Sequence, residues 1–372
     1  MSGKFPLYRW LGLLKPLLLW LLLTPPLAAV ELRVAVKKGV SSLQVGSSTP
    51  AVVRDARGRV VGQIAGMNSF ISSAEGGNVA IGQWKSNRLW LEPSGGGFVW
   101  IGDGWYRGRV LLVPQGDALT AINYVDLEDY LYSVVGAEAI PSWPLDALKA
   151  QAVAARTYAL YKRNTSANQL FDLDNTVATQ VYKGLNSEYT TTHQAVRETK
   201  GEVMTYNGQV ILAVFHASSG GHTENVEDIW LSPLPYLRGV VDYDQTSPVF
   251  SWTKTVSPSI LRGIVGDVGN IRALVPQKTT PRGRIVTMTI VGDRGSRVVS
   301  GADLRKVLDL RSTLFRANVS DNGLEIYGRG FGHGLGLSQW GAQYLASNGI
   351  NYRQILAHYY RNARLARIQT RN

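Results

Sequence analysis

The chain has 372 residues, 45% of them hydrophobic and 18% charged, which fits one large or two ordinary globular domains and excludes long disorder. It contains no cysteine, so disulfides, thiolate metal sites, iron–sulfur clusters and a cysteine nucleophile are excluded. The net charge is +12, and 39 glycines and 10 tryptophans suggest many tight turns and flat aromatic surfaces.

Residues 1–29 read as a secretory signal. Lys4, Arg9 and Lys15 form a basic start without an acid, and Leu17 to Leu23 is a leucine run broken only by Trp20. Thr24-Pro25-Pro26 ends the run, and Leu27-Ala28-Ala29 offers small residues for a peptidase. The run is short for a bilayer span, and no other stretch is long enough. The expected mature chain therefore starts near Val30, is exported to the periplasm or cell envelope, and has no integral membrane span. Losing the three cations leaves +9 of the +12. Outside the cytoplasm a basic surface meets anionic envelope polymers, and no nucleic-acid partner is expected. An ordinary soluble surface rich in lysine and arginine accounts for the same charge.

From Glu31 to about Tyr124 the pattern is short strands and turns. Leu32-Arg33-Val34-Ala35-Val36-Lys37 alternates as a half-buried strand does, and the glycine runs at 76–77 and 95–97 punctuate its successors. This stretch predicts a small β-rich domain over residues 30–100. Helices begin at Val125. The clearest spans Pro144 to Arg163, with proline at its first position and Leu145, Leu148, Ala152, Ala155 and Ala159 in a narrow stripe of small residues. Lys149, Arg156 and Arg163 recur every seven residues on another face, as a solvated basic face would, or as a row meeting substrate or paired carboxylates. Val203 to Ser218 predicts a hairpin around Asn207-Gly208. Residues 250–320 mix short strands and helices without a motif. Helices are expected near Ser338 to Ser347 and Tyr352 to Tyr360. The fold class is α+β: a mixed sheet-and-helix domain over 101–366 follows the β-rich one, and 367–372 form a basic tail.

Three constellations could carry chemistry. Glu138 ends an apolar helix just before Ile140-Pro141-Ser142-Trp143-Pro144. A carboxyl group desolvated at such a break is a general acid at neutral pH, though a lone glutamate before a turn is commonly a surface residue. Ser218-Ser219-Gly220-Gly221-His222-Thr223 forms a turn whose backbone N–H groups could bind an anion or carbonyl. Gly-x-Ser-x-Gly is absent, so this is not a serine-hydrolase elbow. From Gly328 to Gly336 glycine occupies every second position, which in an extended strand lines one face with bare backbone. His333 sits among these glycines, and on pattern alone it is as readily structural as functional. His193, His216, His222, His333 and His358 form no metal-ligand motif, and neither a metal nor another cofactor is expected.

These segments together resemble the stage II sporulation protein D family, also called the amidase-enhancer family. The resemblance rests on Tyr106-Arg107-Gly108, the acidic-Tyr-Leu run from Val125 to Leu131, VVGAEAIPSWPLDALKAQAVAARTYAL from Val134 to Leu160, SSGGHT at 218–223, GRGFGHGLGLSQWGA at 328–342 and YRQILAHYY ending at Tyr360. It covers roughly residues 104–365. It implies export and action on peptidoglycan glycan strands, with lytic transglycosylases that cut peptide-stripped strands as the best-understood members. It places the catalytic acid at Glu138, although the family's Glu-Met-Pro is here Glu138-Ala139-Ile140-Pro141. Some members bind zinc through Cys and His near the Ser-Gly-Gly segment, a site that this cysteine-free chain cannot copy.

A single carboxyl group suits that reaction, because the muramic acid 6-hydroxyl replaces the water that an ordinary glycosidase activates with a second carboxylate. The resemblance further implies that Ser218, Ser219, Gly220, Gly221, Thr223, His333, Ser338, Gln339 and Arg156 line the cleft and bind the sugars. Two other functions stay open from sequence. One is a non-catalytic glycan-binding module that stimulates a separate cell-wall amidase. The other is a different hydrolase on the same fold, for which Glu128 and Asp146 are the nearest second carboxylates.

Overall fold

The computed structural model describes residues 30–368 except 168, 231, 258, 261–265, 267, 321 and 322; the expected signal at 1–29 lies outside them. Among the described residues no helix is long and apolar enough to cross a membrane.

The alternation at Leu32 and Val34 produces the expected strand: both are fully buried, while Arg33 points outward and pairs with Asp172 at 2.6 Å. That strand, Glu31–Val40, lies second in a seven-stranded sheet of spatial order Leu173–Asp174, Glu31–Val40, Ala118–Asp126, Arg109–Gln115, Leu89–Pro93, Ala51–Asp55 and Val60–Ile64. A six-stranded sheet runs Gly104–Tyr106, Val99–Ile101, Ser42–Ser47, Asn68–Glu75, Asn78–Ile81 and Trp84–Ser86. Val45, Val79, Ile81 and Ile101 of the second sheet and Leu89, Leu91, Val110 and Leu112 of the first belong to one core.

The β-rich start is therefore as expected, but its boundary at residue 100 is not. That position lies inside strand Val99–Ile101, and Glu31–Val40 pairs along its length with Ala118–Asp126. Cross-strand hydrogen bonds and a shared core tie both sides of the expected boundary into one body. Likewise Arg367, placed in a basic tail, ends a strand, Arg364–Arg367, that pairs with Glu202–Tyr206.

Seven helices are described. Helix α1 (Leu127–Glu138) is capped by Asp126, whose carboxylate accepts from the N–H groups of Glu128 and Asp129. Helix α2 (Leu145–Thr165) starts one residue later than expected, because Pro144 is its extended N-cap with ψ 140° rather than its first helical residue. Its stripe is wider than the alanine spacing suggests: thirteen of its residues are buried, so it runs through the core. Helices α3 (Thr190–Glu198) and α4 (Val226–Ile229) follow, then α5 (Gly301–Val307), α6 (Gln339–Ser347) and α7 (Tyr352–Tyr359).

Asn207 and Gly208, at φ 50° and 75°, form the expected hairpin turn, although the second strand is only Gln209–Val210. The stretch without motifs has a separate core of its own, which includes Trp252, Leu274, Ile290, Leu304 and Ile326. One of its links to the main body is Arg284, whose side chain is 1% exposed and donates to the Ser219 carbonyl at 2.6 Å.

Candidate active site

Glu138 is the last residue of α1. The chain breaks there because Ala139 adopts an extended conformation ahead of Pro141. The helix delivers the side chain to a cavity of about 470 Å³, a size typical of small-ligand sites. Strand segment Phe215–His216 forms one wall, residues 177–179 a second, and the segment 331–333 with Gln339 a third. Three elements far apart in sequence thus meet around one carboxyl group. Among the described residues that line the cavity, Glu138 supplies the only carboxylate.

Burial pushes the Glu138 carboxyl group above the ordinary range, against an N–H of Val181 that donates to it at 2.6 Å, the Gln339 side chain and the charge of Lys183. Its place at a helix C-terminus, where the backbone dipoles point their negative end, acts in the same direction as burial. The group is held closer to its protonated form than a surface glutamate, as a general acid must be.

His333 is in the cavity wall, but neither ring nitrogen is free. Leu335 N–H donates to Nδ1 at 3.0 Å and Nε2–H donates to the Phe215 carbonyl at 3.0 Å. Burial and the neighbouring His216 hold it neutral, well below the usual histidine range. It therefore presents a ring face, beside Trp230 at 5.8 Å between centroids. Gln339 lies at the start of α6 and reaches both Glu138 and, at 3.4 Å, the Gln151 amide oxygen.

The structure does not bring the other expected residues to the cavity. Ser218 and Ser219 are fully buried and donate to Asp244 at 2.5 Å and to Asp242 at 2.6 Å. Gly220 N–H donates to the same Asp244 oxygen at 2.9 Å and Gly221 N–H to Ser219 Oγ at 3.2 Å, so these amides face the protein. The Thr223 hydroxyl is buried against Val240, and Ser338 is the N-cap of α6. Arg156 is fully buried and holds Glu128 through two bonds of 2.7 and 2.8 Å, with further bonds to the carbonyls of Val196 and Glu202. Lys149 pairs with Glu198 and Arg163 bonds the Glu31 carbonyl, so all three residues of the seven-residue basic row are engaged by protein groups.

The glycine run is not an extended strand either. The strand Gly323–Arg329 ends before Gly330, and Gly330, Gly332, Gly334 and Gly336 have φ of 75°, 118°, 80° and 66°. The left-handed backbone at every second residue makes a tight loop that other groups enter closely. A Cβ on Gly334 would lie 2.5 Å from the Arg284 guanidinium.

Sequence reasoning missed His216, Tyr158, Trp230, Phe331 and Arg305, all of which line the cavity. His216 is the most informative. Its Nδ1–H donates to the Leu335 carbonyl at 3.0 Å, while its buried Nε2 has no partner among the described residues. Burial and the Arg284 charge push its pKa down to about 3, so Nε2 is a lone-pair acceptor. The sequence offers His216 only as one of five histidines; its parallel pairing with Ser338 across the fold is not legible there.

Comparison with known proteins identifies the family. Residues 115–206 match the family described as stage II sporulation protein. The chain is 32% identical over 266 residues to stage II sporulation protein D of Bacillus subtilis, covering 66% of this chain and 76% of that protein. This protein belongs to the stage II sporulation protein D family. It is also 36% identical over 265 residues to an uncharacterized protein of Brachyspira hyodysenteriae, covering 68% of this chain and 70% of the other. A match to the amidase enhancer of Bacillus subtilis, 31% identical over 285 residues, covers 62% of this chain and 39% of that protein. Residues 241–336 match a family described as a domain of unknown function, and they contain the separately cored unit.

Proposed function

We propose that this member of the family is an exported lytic transglycosylase that cuts peptidoglycan glycan strands between muramic acid and glucosamine, with Glu138 as both acid and base. One observation carries the reading: the cavity holds a single, desolvated carboxyl group and no second carboxylate among its described lining residues. Glu128 is paired with Arg156, and Asp146 accepts from the Tyr352 N–H, so neither can activate water beside Glu138. Export rests on the sequence pattern of residues 1–29.

In this reading protonated Glu138 gives its proton to the glycosidic oxygen as the bond from that oxygen to the anomeric carbon breaks. The resulting carboxylate then takes the proton of the muramic acid 6-hydroxyl, whose oxygen closes onto the anomeric carbon. The products are a 1,6-anhydro end and a free 4-hydroxyl, and no water is consumed. Holding the 6-hydroxyl in place is the proximity contribution. Gln339 orients the carboxyl group, and the rings of Trp230, Phe331 and His333 flank the sugars.

Mass analysis of stripped glycan digested by the full chain tests this. Anhydro ends are expected from the wild type, and Glu138→Gln is expected to lose cleavage by a factor on the order of 10² or more while keeping its fold. Reducing ends heavier by one water would reject transglycosylation. A second reading, a non-catalytic stimulator of a cell-wall amidase, is favoured by the likeness to the amidase enhancer. It predicts no cleavage by the wild type and undiminished amidase stimulation by Glu138→Gln.

A further inference from the structure

The unit between residues 251 and 329 has a second concave surface, outside the cavity of Glu138. Its strands Ser251–Val256, Gly323–Arg329 and Phe315–Ser320 form an antiparallel sheet with Gly323–Arg329 in the middle. One face buries Trp252, Phe315, Leu324 and Ile326. Gly328 is bare because a Cβ there would lie 2.1 Å from the Trp252 ring. Strand alternation sends the intervening residues to the other face. Register sets Thr253 opposite Tyr327, Tyr327 opposite Arg316, and Ser251 opposite Arg329.

With Arg282 from the adjoining turn, this outer face lines a groove of about 770 Å³. The Tyr327 ring is 38% exposed, with the Arg316 guanidinium 5.6 Å from its centroid. Arg282, Arg316 and Arg329 are exposed, and none forms an ion pair among the described residues, whereas Arg33, Arg54, Arg107 and Arg156 in the main body all do. The groove adjoins the cavity along the chain: Arg329 lines the first, and Phe331 and His333 line the second. Arg311 lies over the Phe331 ring at 5.8 Å.

We propose that this groove binds a carboxylate-bearing glycan strand, as the part of the substrate that extends beyond the bond beside Glu138. The inference rests on the proposed function. Guanidinium groups with no carboxylate partner among the described residues match carboxylates in a forked, charge-assisted geometry. The exposed Tyr327 ring between Arg316 and the backbone of Gly328 suits the apolar face of a sugar ring, and the Ser251 and Thr253 hydroxyls suit its hydroxyl groups. A phosphate polymer would satisfy the arginines but leave the aromatic face unused. Peptide-stripped strands expose a carboxylate on each muramic acid, so the groove would select them over strands whose carboxyl groups are tied in amides.

The test measures binding by full-length Glu138→Gln protein, which reads affinity without cleavage. The probes are stripped glycan strands, the same strands after methyl esterification of their carboxyl groups, and a wall teichoic acid as the phosphate polymer. Adding Arg316→Ala with Arg329→Ala is expected to weaken binding of the acid strands on the order of tenfold and to change binding of the esterified strands little. Adding Tyr327→Ala instead is expected to weaken both strands alike, because stacking does not depend on the carboxylate. Unchanged affinity of the arginine variant for acid strands would overturn the groove. Equal loss on acid and esterified strands would overturn the carboxylate pairing. Tighter binding of the teichoic acid than of glycan, lost in the arginine variant, would overturn the choice of ligand. A wild type that fails to cleave, alongside the tenfold arginine effect, would sink the proposed function and leave the groove standing.

Discussion

Glu138 illustrates a conflict between stability and chemistry at one side chain. Its carboxyl group titrates above the ordinary range because burial disfavours the charge. The folded state therefore holds the proton more tightly than the unfolded chain. Its destabilising contribution is absent at low pH, grows as pH rises above the unfolded value, and is complete above the raised folded value. Glu138→Gln keeps an oxygen for the Val181 N–H and removes the charge. The variant is expected to melt at a higher temperature than the wild type at pH 7, with the difference vanishing below about pH 4. Thermal melts at the two pH values check this, and a variant less stable than wild type at pH 7 would show that burial is not the dominant cause. The two histidines of the cavity allow a second prediction. His216 titrates near about 3 and His333 well below the usual value, both held neutral by burial. The pH dependence of kcat/KM for glycan cleavage should then be a single limb that falls as pH rises and Glu138 loses its proton. A rising limb near the ordinary histidine value, about pH 6.5, would contradict the assigned protonation states.

At the scale of elements, α1, α2 and α3 are joined by one buried ion pair. Arg156 leaves α2 fully buried, clamps Glu128 of α1, and bonds the Val196 carbonyl of α3. Removing one partner leaves a charge without its counterion. Arg156→Ala is expected to destabilise the fold by about 3 to 5 kcal/mol, read from urea unfolding. Changing Glu128→Gln together with Arg156→Met is expected to recover much of that loss, since a packed apolar side chain can replace a buried pair. Glycan affinity of the folded fraction should not change in either variant, because neither residue lines the cavity or the groove. A loss of affinity without a loss of stability would return Arg156 to the substrate side.

On the scale of the whole molecule, Arg284 is a buried link between two cores. Its guanidinium belongs to the inserted unit, yet it bonds the Ser219 carbonyl, approaches Glu224 at 3.6 Å and packs on bare Gly334. Desolvation lowers its pKa to about 10, and Glu224 with its 1% exposed side chain opposes that shift. The wild type should therefore unfold in one calorimetric transition. Arg284→Ala leaves Glu224 buried without its counterion and is expected to split the transition into two, the inserted unit and the main body. A single, merely lower transition would mean that other contacts couple the cores.

Local signals were legible wherever a short stretch of chain determines its own geometry. The strand at Glu31, the hairpin at Asn207-Gly208, helix α2 and Glu138 at the end of an apolar helix all follow from periodicity, turn chemistry and helix breaks. The family, too, was legible in its long ordered motifs. What those motifs could not tell is which of their side chains line the cavity and which face protein. Ser218, Ser219 and Arg156 find buried carboxylates supplied by residues 23 to 28 positions away, and only the tertiary fold brings these within bonding distance. The boundary at residue 100 was illegible for the same reason, since pairing of Glu31–Val40 with Ala118–Asp126 is a long-range choice. His216 gained its place in the cavity wall, and the arginines of the groove a common face, only when distant strands came into register. The sequence by itself determined the local elements and the carboxyl group; the tertiary structure decided their company, because burial and pairing depend on neighbours that chain order does not name.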